Sequence, residues 1–254
     1  MFRPDVVLYP EVRRLSCAAP EDGASWNRPK ASTMEGPTLL RIYADPMTVN
    51  CRKVLAGLDL IEAPFELVRI DYLAGGHKTA EFLAINPNGA LPAAIDGDLA
   101  LSESNAILQY AADLHRADQY YPKDLKKRAD IHRWMLWEAS TWSPSCYVYL
   151  VENVAKPLIF GAQPDAAVID REAPNWHRLA SILDGLLAKS KWLAGEGVTI
   201  ADIAVAAPMH MHALQRLPLD DHPNLRRWMT EGIEQLPSWK KTQAAIDSLV
   251  PAKT

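Results

Sequence analysis

The chain has few cysteines. Cys17, Cys51 and Cys146 are scattered over 254 residues and odd in number. A disulfide framework is therefore excluded, and a reducing compartment fits. No apolar run is long enough to span a bilayer. The opening residues MFRPDVVLYPEVRR lack the continuous apolar stretch of a secretory signal. The expected location is the cytoplasm. Neither sign of charge dominates, since 27 Lys and Arg against 31 Asp and Glu leave a net −4. No nucleic acid and no membrane is thus expected as a partner. There is no Gly-rich phosphate loop between a strand and a helix, and no serine-hydrolase elbow. His210 and His212 stand two residues apart in a helical stretch and so face different ways. No metal site is expected there.

What is present is an ordinary globular composition, 48% hydrophobic and 23% charged. Residues 1–36 mix Pro, Gly, charge and isolated aromatics without periodicity. They read as a poorly ordered N-terminal extension or a start-site artefact, with Met34 a candidate start. From Leu39 the pattern changes. LLRIY reads as a buried strand and VNCRKVLAGLDL as a helix. PFELVRI alternates as a second strand, and GHKTAEFLAINPNG holds a short helix ending at Asn86-Pro87. LPAAID and LALS flank the turn DGD as an antiparallel hairpin. SESNAILQYAADLH restores helical spacing. The order βαβαββα places helices against a small mixed sheet over residues 37–117.

A linker with Tyr120, Tyr121 and Pro122 marks a boundary, and residues 123–248 read as all-helical. Pro144 is expected to bend the first long helix. Thr199 and Asp202 have capping-box spacing, with Val198 and Ile203 placed as a hydrophobic staple.

Three stretches carry chemistry. In YADPMTVNCRKV, Thr48 and Cys51 have the spacing of a redox motif whose first cysteine is replaced by a hydroxyl. At Leu91-Pro92 the proline cannot donate to a sheet ladder. A cis bond there would leave Leu91 backbone groups free to pair with an extended peptide. In SESNAIL, Ser104 and the helix N-terminus suit a carboxylate, and Glu103 suits an ammonium. Ordinary N-capping by Ser102 or Ser104 is the competing explanation.

Taken together, IYADPMTVNCRKV, EFLAINPNGALPAAIDGDLALSESNAIL, the YYPKD linker and TIADIAVA resemble a cytosolic glutathione transferase of bacterial type, with theta-like and Nu-like features. The resemblance spans residues 39 to 242. It implies a thioredoxin-like N-terminal domain, an all-helical C-terminal domain, a homodimer, and glutathione as co-substrate. It implies that Leu91, beside cis Pro92, pairs with the cysteinyl backbone. Glu103 and Ser104 would hold the γ-glutamyl end, and His77 and Asn88 are candidates for the glycyl carboxylate. His77 also reads as a plain loop histidine.

Such an enzyme must hold a thiolate at neutral pH. Lowering a free thiol from about 8.5 by about two units takes roughly 2.7 kcal/mol. A hydroxyl or amide donor near a helix N-terminus is of that order. Thr48 is the first candidate, in the slot of the catalytic serine of theta- and delta-like enzymes. Asn50 is the second, because Nu-type enzymes flank the sulfur with a threonine and an asparagine. Both are also good cap residues. Tyr43, on the strand, is a lesser candidate. Cys51 is expected to be a buried bystander, and the role of Arg52 stays open. A pocket for a small hydrophobic electrophile is expected from Trp137, Trp142 and Cys146, exposed where Pro144 opens the helix. Trp134, Tyr147 and Tyr149 crowd the same helix and read equally as core.

The expected activity is attack by the glutathione thiolate on such an electrophile. A glutathione-dependent disulfide oxidoreductase and a non-catalytic binding protein of the same fold are the alternatives.

Overall fold

Alternation in the first strand decides which way the sheet faces. We describe a computed structural model of the chain over residues 39–247. Residues 1–38 and 248–254, and with them the expected extension 1–36, lie outside the described residues. In β1 (Leu40–Ala44), Leu40, Ile42 and Ala44 enter the main core. Tyr43 points to the opposite face, where it packs with Phe82 and Ala93. β1 pairs parallel with β2 (Phe65–Arg69) and antiparallel with β3 (Ala93–Asp96). β4 (Leu99–Ser102) pairs antiparallel with β3, giving the order β2-β1-β3-β4.

Helices α1 (Val49–Leu60) and α3 (Ser104–Leu114) pack against each other and contribute to the main core. A Cβ on Gly57 would lie 2.3 Å from Leu108 Cδ2, so glycine lets α1 and α3 approach this closely without displacing the buried Leu108 side chain. The short α2 (Ala80–Leu83) serves the Tyr43 side through Phe82. It is shorter than the sequence pattern suggests and follows one tight turn at Gly76–Lys78. The fold is the expected thioredoxin-like βαβαββα unit.

The remaining described residues form helices and the loops between them, with no further strand. α4 (Leu125–Trp137), α5 (Ser143–Leu150) and α6 (Lys156–Ile159) form one continuous run. They are joined by π-turns at Glu138–Trp142 and Val151–Ala155. Each π-turn ends two residues before a proline, Pro144 and Pro157. Proline has no N–H and its ring crowds the carbonyl four residues back. A wider turn absorbs both defects, so the helix continues instead of opening.

Next come α7 (Ala166–Leu187), α8 (Ile200–Ala206), α9 (His212–Gln215), α10 (Pro223–Arg227) and α11 (Pro237–Asp247). The capping box at α8 forms. Asp202 Oδ2 accepts from the Thr199 N–H at 2.9 Å and the Thr199 hydroxyl at 3.0 Å. Its Oδ1 accepts from the Leu193 N–H and Trp228 Nε1. Burial pushes this carboxyl up to about 6 despite those donors.

The two halves meet along α1. Arg52 is fully buried and donates to Thr242 Oγ1 at 2.9 Å, the His210 carbonyl at 3.0 Å and Gln243 Oε1 at 2.6 Å. Its guanidinium lies 4.3 Å from the centre of the Trp239 ring. Arg52 thus ties α11 to α1 by a planar fork that lysine would not reproduce.

His210, beside Arg52, is buried with neither ring nitrogen hydrogen-bonded. Burial and the Arg52 charge pull its pKa down to about 3. Unfolded, it takes a proton near 6.5. Between those values the unfolded chain binds one more proton, so stability is full above the unfolded pKa and falls as pH drops. In His210→Phe, the loss of unfolding free energy from about pH 6 to about pH 4 should be shallower by up to about 1.4 kcal/mol per pH unit. Denaturant unfolding across that range measures it, and an unchanged gradient contradicts it.

Candidate active site

The β1–α1 turn places Thr48 at the N-cap of α1 in an extended conformation. Its side chain makes no cap bond to the helix, so it is not there as a cap. Its hydroxyl instead donates to the Asp45 carbonyl at 3.2 Å. Thr48 is half-buried, and Asn50, in the first turn, is exposed. The N-terminus of α3 lies next to that of α1, since Ser104 Oγ donates to Asn50 Oδ1 at 3.4 Å. Two positive helix ends therefore converge where the sequence analysis places the thiol and γ-glutamyl ends of a ligand. Glu103, just before α3, is exposed with φ 69°. A non-glycine residue there costs about 1–3 kcal/mol of backbone strain.

Below Ser104 is a cation that the sequence analysis missed. Lys53 Nζ donates to Ser104 Oγ at 3.1 Å, Asn105 Oδ1 at 3.2 Å and Glu138 Oε2 at 2.8 Å. Asn105 Nδ2 also donates to Glu138 Oε2 at 3.0 Å. Both charged side chains are almost wholly buried, at 2% and 1% exposed. Burial lowers the Lys53 ammonium from its usual range, and Glu138 offsets part of that. A signal for it exists in the sequence. Glu138 is the lone acid between Ile131 and Val151, among aromatics, and a buried acid needs a buried partner.

Leu91-Pro92 is cis, and the β1–β3 ladder starts only at Ala93, leaving Leu91 outside it. His77 is buried under Tyr72, with ring centroids 4.4 Å apart, and its Nδ1 has no hydrogen-bond partner. Burial, then the neighbouring Lys78, lowers its pKa, so the ring is neutral at neutral pH. Asn88 is exposed, and its amide is turned back onto Asn86 Oδ1 at 3.1 Å. Tyr43 packs edge-on to Phe82, away from the face that α1 covers. Cys51 is fully buried, and its thiol is pushed by burial up to about 12. It supplies no thiolate near neutral pH.

The expected hydrophobic pocket needs correcting. Trp142 and Cys146 have no exposed surface. Trp142 Nε1 donates to the Val205 carbonyl at 3.0 Å, and its ring lies 5.5 Å from that of Trp176. The π-turn keeps the helix closed at Pro144, so these residues face the core. Trp137 is partly buried and stacks on Trp142 at 5.8 Å. Trp134 and Tyr149 are core as well. Tyr147, next to Cys146, is instead 56% exposed. Partial burial, then the Tyr72 phenol, raises its pKa. Tyr72 is itself 42% exposed. Among the described residues, no three His, Cys, Asp or Glu side chains gather to hold a metal, and no helix is long and apolar enough to cross a membrane.

Comparison with known proteins gives the family. Residues 36–113 match the family model of the glutathione S-transferase N-terminal domain, and residues 147–235 that of the C-terminal domain. The chain is 32% identical to glutathione S-transferase 3 of Zea mays, over 82% of this chain and 94% of that protein. It is also 32% identical to glutathione S-transferase GstB of Escherichia coli, over 78% and 94%. A solved structure of maize glutathione S-transferase I in complex with an atrazine glutathione conjugate is similar with a TM-score of 0.75. Its identity is 26%, covering 86% of this chain and all of that one. The chain belongs to the cytosolic glutathione S-transferase family and is an enzyme of that kind.

Proposed function

We propose that the enzyme binds glutathione along the backbone at Leu91, just before β3, and activates its thiolate for attack on a small hydrophobic electrophile. The observation that carries this is the Thr48 hydroxyl at the α1 N-terminus, free of any capping duty, beside Asn50 and Ser104. Glutathione brings the thiol, the Thr48 hydroxyl turns its one hydrogen from the Asp45 carbonyl to the sulfur, and Asn50 stands second to it. Glu103 and Ser104 take the γ-glutamyl end, with the Lys53 ammonium behind Ser104 adding attraction for its carboxylate. The neutral His77 donates an N–H to the glycyl carboxylate. Asn88 is the weaker choice, because its amide is already engaged. Trp137, Tyr72 and Tyr147 supply the apolar wall for the electrophile. The working unit is a homodimer in the cytoplasm.

A second reading is favoured by the openness of Asn50 and the Thr48-x-Asn50 pair, which suit a disulfide sulfur equally well. Parallel assays with an aryl halide and a mixed glutathione disulfide separate the two. Tight glutathione binding with turnover of neither substrate points to a binding protein instead.

Thr48→Ala should lower kcat/KM about tenfold to hundredfold, the range for losing a hydrogen bond to a charged group, and move the pH–rate profile to higher pH. Thr48→Ser should keep most of the activity. Equal rates in all three proteins would move the role to Asn50 or Tyr43.

The ion pair makes a separate prediction. Glu138→Gln leaves Lys53 buried without a counter-charge, and should cost about 3–5 kcal/mol of stability. Combining Glu138→Gln with Lys53→Met should recover much of that stability in denaturant unfolding. It should not recover the affinity for glutathione, because Ser104 has lost its donor.

A further inference from the structure

The active-site turn and the His77 loop are distant in sequence, yet one buried side chain joins them. Asp45 is 2% exposed at the end of β1. Its Oδ1 accepts from the Met47 N–H at 3.1 Å. Its Oδ2 accepts from the Tyr72 N–H at 3.0 Å. Its carbonyl accepts both the N–H of Thr48, at 3.0 Å, and the Thr48 hydroxyl. The loop it reaches is closed on itself. The Gly76 N–H donates to the Asp71 carbonyl at 2.8 Å, and the Ala74 N–H to Asp71 Oδ1 at 2.8 Å. Tyr72 then covers His77. A hold on the Tyr72 backbone is therefore a hold on the imidazole.

We infer that Asp45 is a positioning residue that sets the distance between the thiolate-holding turn at Thr48 and the glycyl-holding loop at His77. This rests on the transferase reading above and deepens it. Glutathione is a tripeptide whose thiol and glycyl carboxylate are separated by fixed covalent geometry. A site that contacts both ends gains from having them braced against each other. The chemistry of the brace requires a carboxylate. Two backbone N–H groups approach two different oxygens, and an asparagine side chain offers only one acceptor. Asparagine would retain the local bond to Met47, the i to i+2 turn that Asn and Asp both form readily. It would then present an NH₂ to the Tyr72 N–H.

The test compares Asp45→Asn and Asp45→Ala with the parent enzyme. The readouts are KM for glutathione, kcat, and the pKa of the bound thiol from its ultraviolet thiolate absorbance. Asp45→Asn should raise KM for glutathione about threefold to tenfold, the effect of one lost hydrogen bond, and leave kcat and the thiol pKa in place. Asp45→Ala should raise KM and also raise the thiol pKa and lower kcat, because it releases both sides. A loss that is only structural would lower the amount of active enzyme without this split. If Asp45→Ala does not fold, the isosteric Asp45→Asn still decides. A parental KM in Asp45→Asn, or a shifted thiol pKa with KM unchanged, overturns the inference. If the parent enzyme itself shows no depressed thiol pKa, the transferase reading fails first, and that result is distinct from either variant failing alone.

Discussion

Lys53 and Glu138 meet at 2.8 Å with almost no contact with water, one on the first helix of the sheet domain and the other on the long helix of the second. Charges buried this deeply are tolerable only as a hydrogen-bonded pair. That requirement fixes where α1, α3 and the α4–α5 run sit relative to one another. Lys53 also reaches Ser104 and Asn105, and Ser104 reaches Asn50. The packing of two domains and the placement of the polar groups at two helix starts are therefore the same arrangement. Arg52, one residue earlier, makes the second tie, to α11. Two adjacent basic residues divide the work of joining the halves, and neither is placed to act on a substrate directly.

The strand-to-helix turn shows how a redox-like motif is emptied of redox chemistry. Burial raises the Cys51 thiol far above neutrality. A thiolate at this site must then come from elsewhere. The turn still provides a hydroxyl, an amide and a helix N-terminus, the groups that stabilise an anionic sulfur. Holding a ligand's cysteine in place of the protein's own is the conclusion that the burial of Cys51 and the uncapped state of the Thr48 hydroxyl support together.

Much of this was legible from the residues. Alternation in LLRIY, the DGD turn, the proline opening β3 and the Thr199–Asp202 spacing each predict an element that the structure contains, because each is decided by local geometry. Leu91-Pro92 and Glu103-Ser104 were readable for the same reason, as both sit at the ends of elements. What escaped was decided by phase and by distant partners. Trp142 and Cys146 were expected to face a cleft opened by Pro144. The π-turn before that proline keeps the helix intact, so both face the core and Tyr147 is left outside. Nothing in the local pattern distinguishes a proline that breaks a helix from one absorbed in a wider turn. The sequence leaves the role of Arg52 open and singles out none for Lys53, and partners roughly 85 to 190 residues away make both interior.

The central claim is that this site holds the sulfur of glutathione at Thr48. A crystal structure of the enzyme with bound glutathione tests it most directly. The account predicts the sulfur within hydrogen-bond reach of Thr48 Oγ1, the γ-glutamyl carboxylate on Ser104 and the cysteinyl backbone paired with Leu91. A sulfur lying against Tyr43, or joined to Cys51 as a mixed disulfide, would contradict it.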